Sequence, residues 1–230
     1  MRVSLSLLSF AIIAVTGDSC VHYGVRNIDQ GEIHYSISYS GDSGYVPREF
    51  MPKHLIVCFK NDKILFDISA PFGNSGIMNL ANPETGIFDT YINLLGFKYF
   101  YPSDPGENYP GFGAMKGMKV HKTSDTSMIC GFNCKSAEVT FPDDNTNNKK
   151  YRIWYTDEIK VKNPNTATPF SEINGVLMKF FFVINQREMH FEAETVYKKD
   201  IPDKLFERKE KYVRISRKDI DGIIDKFISM

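Results

Sequence analysis

From residue 31 the chain alternates. In GEIHYSISYS (31–40), Ile33, Tyr35, Ile37 and Tyr39 interleave with His34, Ser36, Ser38 and Ser40. A period of two puts the two sets on opposite faces of a strand, one buried and one wet. HLIVCFKNDKILFDIS (54–69) holds two apolar runs parted by Lys60-Asn61-Asp62-Lys63, and that turn chemistry predicts a hairpin. GIMNLAN, GIFDTYINLL and FKYFY predict further strands, divided by Asn82-Pro83 and by Gly96. Strands resume at roughly 119–128, 133–141, 150–156, 176–184 and 188–199. MKFFFVI (178–184) is apolar at nearly every position, which predicts a strand covered on both faces. A helical stripe appears at the C-terminus, where SRKDIDGIIDKFI (216–228) spaces Ile220, Ile223, Ile224 and Phe227 at helical intervals. Ser216 and Asp219 have the spacing of a capping box there. The predicted fold class is mainly β, a β-rich α+β arrangement: a single curved antiparallel sheet or half-barrel with a C-terminal amphipathic helix.

Two stretches break the alternation. YPSDPGENYPGFGAMKGM (101–118) is rich in Pro and Gly and predicts a long loop, of the length that is usually functional or mobile. At the other end, Arg2 precedes the uncharged apolar run VSLSLLSFAIIAV (3–15) and the small residues of TGDSC. A basic residue, a short apolar region and small residues describe a secretory signal peptide, too short for a comfortable membrane span. Residues 1–20 are thus read as a signal peptide and 21–230 as one β-rich domain. Cys20 closes the signal segment, where bacterial lipoproteins are cleaved and acylated; the competing reading is ordinary cleavage near Gly17 with Cys20 a plain thiol. Acylation would tether the protein to a membrane, since each buried CH₂ contributes about 0.8 kcal/mol.

Composition adds one exclusion. Lys+Arg and Asp+Glu number 28 each, so the net charge is zero, against the basic excess of a dedicated nucleic-acid binder. Candidate chemistry is sparse. GDSG (41–44) has the letters of a protease nucleophile, but too little chain precedes it to supply the His and Asp such enzymes place upstream. Met115, Met118 and His121 offer soft ligands, though no cysteine or second histidine lies nearby, so no metal and no cofactor is expected. Asp157 and Glu158 are neighbours on a predicted strand, on opposite faces, which does not make a catalytic pair. No Gly-rich phosphate loop follows a strand, and no set of base, nucleophile and oxyanion donor points to an enzyme. Cys130 and Cys134 could face each other across a tight loop of Gly131-Phe132-Asn133 and form a disulfide, or stay buried thiols.

ICGFNCKSAEV, YRIWYTDEIKVKNP and FSEINGVLMKF together resemble the GLPGLI-type envelope proteins and a neighbouring family of bacterial domains. Gly131, Cys134, Lys135 and Ala137 match a Gly-x-x-Cys-Lys-x-Ala hairpin. Ile153, Trp154, Tyr155, Thr156, Glu158 and Ile159 match the strand that follows. Asn174-Gly175-Val176-Leu177 stands where the Gly-Leu-Pro-Gly-Leu-Ile turn belongs, without its Pro, and VYKKDIPDKLFERKEKYVRIS (196–216) resembles the neighbouring family's ending. The resemblance implies an exported protein, often a lipoprotein, with a fold like the LolA/LppX carriers, and no established activity. It also implies a rival disulfide, Cys58–Cys134, because Cys134 is the position the pattern contains.

Two functional readings follow. In the first, the curved sheet is a binding or carrier module for a lipid or other apolar ligand, lined by Tyr99, Phe100, Phe112, Met115, Trp154, Phe180, Phe181 and Phe182. In the second, the protein is a cell-surface module that holds an envelope protein partner without a small-molecule ligand. The expected location is the periplasm, outer membrane or cell surface, with a lipid anchor and no nucleic acid.

Overall fold

The computed structural model describes residues 27–40, 48–71, 75–142, 149–185 and 187–229. The expectations for the signal segment, Cys20 and GDSG lie outside these residues. Twelve strands form one sheet: β1 (Gln30–Ser40), β2 (His54–Lys60), β3 (Lys63–Ser69), β4 (Ser75–Asn82), β5 (Ile87–Leu94), β6 (Phe97–Pro102), β7 (Lys119–Ile129), β8 (Phe132–Thr140), β9 (Tyr151–Thr156), β10 (Val176–Ile184), β11 (Arg187–Lys198) and β12 (Val213–Arg214). Helix α1 (Arg217–Ser229) ends the chain. The spatial order is β12-β6-β5-β4-β3-β2-β1-β11-β10-β9-β8-β7. All pairings are antiparallel except β12 with β6, and the sheet is open, not closed into a barrel.

The order is two meanders sharing β1. One walks outward from β2 to β6; the other starts at the far edge with β7 and walks back to β11, which pairs with β1. Tight turns make each meander compact. Lys60 pairs with Lys63 around Asn61, at φ 54°, as the hairpin chemistry predicts. Leu94 pairs with Phe97 around Leu95-Gly96, and Ile129 with Phe132 around Cys130-Gly131. The last turn corrects the expected three-residue loop. Cys130 is itself a turn residue, at φ 50°, so it does not stand opposite Cys134.

Period-two alternation sends Ile33, Tyr35 and Ile37 of β1 to an inner face and Ser36 and Ser38 to an outer one. The inner face gathers one large apolar cluster, from Ile64, Ile77 and Ile92 on one meander to Val139, Ile153 and Phe180 on the other. The sheet curves around it.

The loop at 101–118 follows from the topology. It joins β6, beside one edge, to β7 at the opposite edge, so it must cross the sheet. It crosses on the inner face and buries Tyr109, Phe112 and Met115. Its backbone is tied down as burial requires: Tyr109 N donates to Ala167 O at 2.8 Å, and Val183 N to Met115 Sδ at 3.3 Å. Residues 157–175 add Ile159, Val161, Phe170 and Ile173 to the same cluster. Helix α1 closes it with Ile220 and Ile224, after a start at which Ser216 and Asp219 bond each other as the capping spacing predicts.

Candidate functional site

The aromatic residues expected to line one cavity are divided between the two faces. Phe180 and Phe182 point inward with Phe191, at centroid distances of 4.8 and 5.4 Å from it. Phe112 from the crossover loop sits 4.6 Å from Phe182, and Phe170 5.9 Å from it. These rings and Met115 touch one another and are buried: the loop and the 157–175 segment plug the trough with the chain's own side chains. Phe181, one residue from each inward neighbour, faces the other way and stacks on Tyr151 at 4.1 Å. Phe100 also faces outward, stacked on Tyr91 at 5.8 Å, while Tyr99 is half-buried beside exposed Phe97. Trp154 is half-buried with the Arg152 guanidinium 6.0 Å from its ring. MKFFFVI is covered on both faces, as its composition predicts, but the cover is protein.

An open space lies on the outer face. A groove of about 480 Å³ runs over β1, β11, β10 and β9. Two rungs of the sheet form its bed: Ser38–His190–Phe181 and Ser36–Glu192–Lys179. Ser40, Tyr151 and Arg152 complete the walls. Its charges are compensated in place. Lys179 Nζ lies 2.8 Å from Glu192, Arg152 3.0 Å from Asp125, and Lys150 3.4 Å from Glu138. At one end Glu188 accepts from Lys149 and from the Tyr151 hydroxyl, each at 2.6 Å. Burial would raise the Glu188 pKa, but these two hydrogen bonds outweigh it and hold the carboxyl below its ordinary range. The groove therefore presents hydroxyls and paired ions rather than a net charge.

Ser40, His190 and Glu188 have the residue types of a nucleophile–base–acid relay. Ser40 Oγ lies 2.9 Å from His190 Nε2, and Glu188 Oε2 lies 3.3 Å from the same nitrogen. A relay needs the acid on the other ring nitrogen, because one Nε2 cannot accept from the serine while donating to the carboxylate. The relay is not assembled.

The cysteines do not act together. Cys134 is fully buried in the inner cluster, and burial raises its thiol to about 12. Cys58 faces outward across from Glu32 on β1, and burial raises it to about 11. The sheet separates the two, both are thiols, and the rival Cys58–Cys134 bridge has no path. Cys130 Sγ donates to Ala193 O at 3.2 Å. Protonated, buried sulfurs are poor nucleophiles. Met115 is in the core while His121 is exposed on β7, so those ligands diverge. Among the described residues no group of three or more His, Cys, Asp or Glu is placed to hold a metal ion.

The residues that carry the family resemblance form a brace. Thr156 Oγ1 donates to Asn133 O at 2.9 Å, Glu158 accepts from Asn133 N and Nδ2 at 3.0 Å each, and Asp157 pairs with Lys135 at 2.8 Å. They clip the β7–β8 hairpin to the end of β9. Asn165 Nδ2 donates to Ile173 O and Gly175 O, and a Cβ at Gly175 would meet Thr156 O at 2.8 Å, so the turn into β10 needs glycine.

A second outward cluster had no signal in the sequence. Residues 199–212 strap over β3–β6, and Ile201 and Phe206 cover Leu65, Leu80 and Tyr91. Arg208 anchors the strap, with Nε and Nη2 on Asp89 at 2.7 and 3.0 Å, and Tyr91 OH donates to the same carboxylate at 2.6 Å. A charge of each sign, 119 positions apart in one chain, carries no local pattern.

No family model matches the chain, and no curated protein does. Solved structures do. PNGF-II is 20% identical, with a TM-score of 0.51, over 87% of this chain and 32% of its own. The present chain thus spans about a third of that protein's length. The lipoprotein LppX of Mycobacterium tuberculosis is 8% identical over 75% of this chain and 89% of its own, at a TM-score of 0.33. A LolA superfamily protein from Nitrosomonas europaea is 12% identical over 79% and 91%, at 0.35. At 20% identity the likeness to PNGF-II is one of fold alone.

Proposed function

We propose that this chain is an exported binding module of the cell envelope, held to a membrane through an acylated Cys20, that takes a neutral polar ligand along its outer groove. The observation that carries this reading is the contrast between a trough filled by Phe112, Met115 and Phe170 and a groove of about 480 Å³ left open outside. The three serine hydroxyls of β1 stand about 7 Å apart along the strand, a spacing suited to successive hydroxyl or amide groups of an extended ligand. Compensated charges favour an uncharged ligand over an ion.

The carrier reading retains one support. The crossover loop is held to α1 by noncovalent contacts, Glu107 with Arg217 and Gly111 N to Asp221 at 2.8 Å, and beneath it lies the aromatic wall a lipid would need. Protein purified gently from its own envelope, denatured and extracted for mass spectrometry, separates the two. An empty protein whose chemical shifts respond to neutral oligosaccharides, with the response lost in Ser38→Trp, supports the groove. A stoichiometric apolar molecule in the extract overturns it and makes the plug a displaceable lid.

A further inference from the structure

One edge of the sheet breaks a local rule without recovering anything inside the molecule. The β5–β6 turn places Leu95 in the left-handed region, at φ 51°, where Gly or Asn fits and a leucine is strained. Leu95 is 76% exposed, so its side chain gains no burial to offset that strain. Phe97, the first residue of β6, is 65% exposed, and Val213 on the neighbouring edge strand 61%. The chain thus keeps apolar groups together at a turn apex where polar residues would be more stable.

The charges around this apex are mostly positive: Lys98, Lys211 and Arg214 outnumber the acid Glu210. Val213 pairs with Tyr99 and Arg214 with Phe100 in parallel register, which brings Tyr212 alongside Lys98. Lys98 Nζ lies 5.7 Å from the Tyr212 ring centre, as this register requires. From Leu94 to Lys98 and from Lys211 to Ser216 the sequence contains no acid. Lys98, Lys211 and Arg214 are exposed beside the apolar tip.

We propose that this tip docks on an anionic lipid surface, with Leu95, Phe97 and Val213 entering the interface and Lys98, Lys211 and Arg214 meeting the phosphates. Two features select this occupant. The cationic rim is complementary to lipid headgroups. A turn apex sends side chains in several directions, and a fluid interface closes around such a point where a rigid partner would need a matching socket. The inference is independent of the groove on the outer face.

Sedimentation with vesicles tests it, using the full chain with Cys20→Ser in every variant so that no acyl group contributes. The probes are phosphatidylcholine alone and phosphatidylcholine with phosphatidylglycerol. Binding should appear on the anionic vesicles and weaken with salt. Lys98→Gln and Lys211→Gln should each lower partitioning about fivefold. Leu95→Asn/Phe97→Ser should lower it at least about tenfold. Leu95→Asn alone should also make unfolding less favourable, because asparagine relieves the turn, and a purely structural leucine would not show that opposite pair of effects. Absence of vesicle binding, or binding that survives Leu95→Asn/Phe97→Ser, overturns the proposal. So does self-association in solution abolished by the same substitutions, which would assign the tip to a second copy of the chain.

Discussion

The inner face of the sheet buries Phe112, Phe170, Phe180, Phe182 and Phe191 in one apolar cluster, whereas the outer face closes a smaller cluster around a charge. Inside, segments from three parts of the chain fill the space with apolar side chains, and their polar ties, such as Glu107 with Arg217, lie at the rim of that cover. Outside, a single strap at 199–212 is pinned by Arg208 on a fully buried Asp89. On the inner face burial is the main device that holds the cover, at roughly 25 cal/mol per Å² of apolar surface. The strap covers few apolar residues, so a directional ion pair with the Tyr91 hydroxyl fixes where it lies. Size of cover decides which device is used.

Substitutions should separate the two devices. Phe170→Ala leaves a void between rings of the inner cluster and should cost about 3–5 kcal/mol in a denaturant titration. A cost under about 1 kcal/mol would mean the trough is loosely filled, and would favour a displaceable plug. On the outer face the larger effect should come from removing the cation. Arg208→Ala strands Asp89, which has no exposure, and should cost roughly 2–3 kcal/mol. Asp89→Asn leaves a half-exposed guanidinium that can turn to water and retains an acceptor for Tyr91, so roughly 1–2 kcal/mol is expected. The reverse order would show that the strap is held by its apolar residues instead.

The smallest effect concerns acid. Glu188 sits below its ordinary pKa of 4.5 because Lys149 and Tyr151 outweigh the burial that opposes them. A carboxyl lowered in the folded state contributes stability that is complete above the unfolded value and is lost as pH falls below about 4.5 through the folded value. Glu188 is partly buried but its partner Lys149 is half-exposed and screened by solvent, so about 1 kcal/mol or less is involved. Lys149→Met should lower stability at neutral pH by up to about 1 kcal/mol and flatten the acid limb, the difference from the parent protein vanishing once Glu188 is protonated. An unaltered acid limb would assign acid sensitivity elsewhere, with Glu32, held down by His34 and Lys199 against its own burial, the next group to test.

Much of the sheet was legible because its signals are local. Alternation in 31–40, the Asn61 turn, the doubly covered strand at 178–184 and the Ser216–Asp219 cap each depend on residues a few positions apart. The cavity lining was not legible. Phe180, Phe181 and Phe182 look alike in sequence, yet neighbours on a strand face opposite ways, and only the neighbouring strands decide which face is covered and by what. Asp157 and Glu158 already read as neighbours without catalytic geometry, and only the structure shows that they clip a hairpin.

By itself the sequence determined the strands other than β12, the hairpins other than the exact turn at Cys130-Gly131, and the terminal helix, because backbone preference and hydrophobic period act over a few residues. Tertiary structure alone decided that the loop at 101–118 fills the trough, since that depends on β6 and β7 lying near opposite edges of the sheet. It also decided that Asp89 meets Arg208 and that Ser38, His190 and Phe181 share one rung. The Asp89–Arg208 and Ser38–His190 pairings join residues more than a hundred positions apart, and chain topology, not local pattern, sets which distant residues become neighbours.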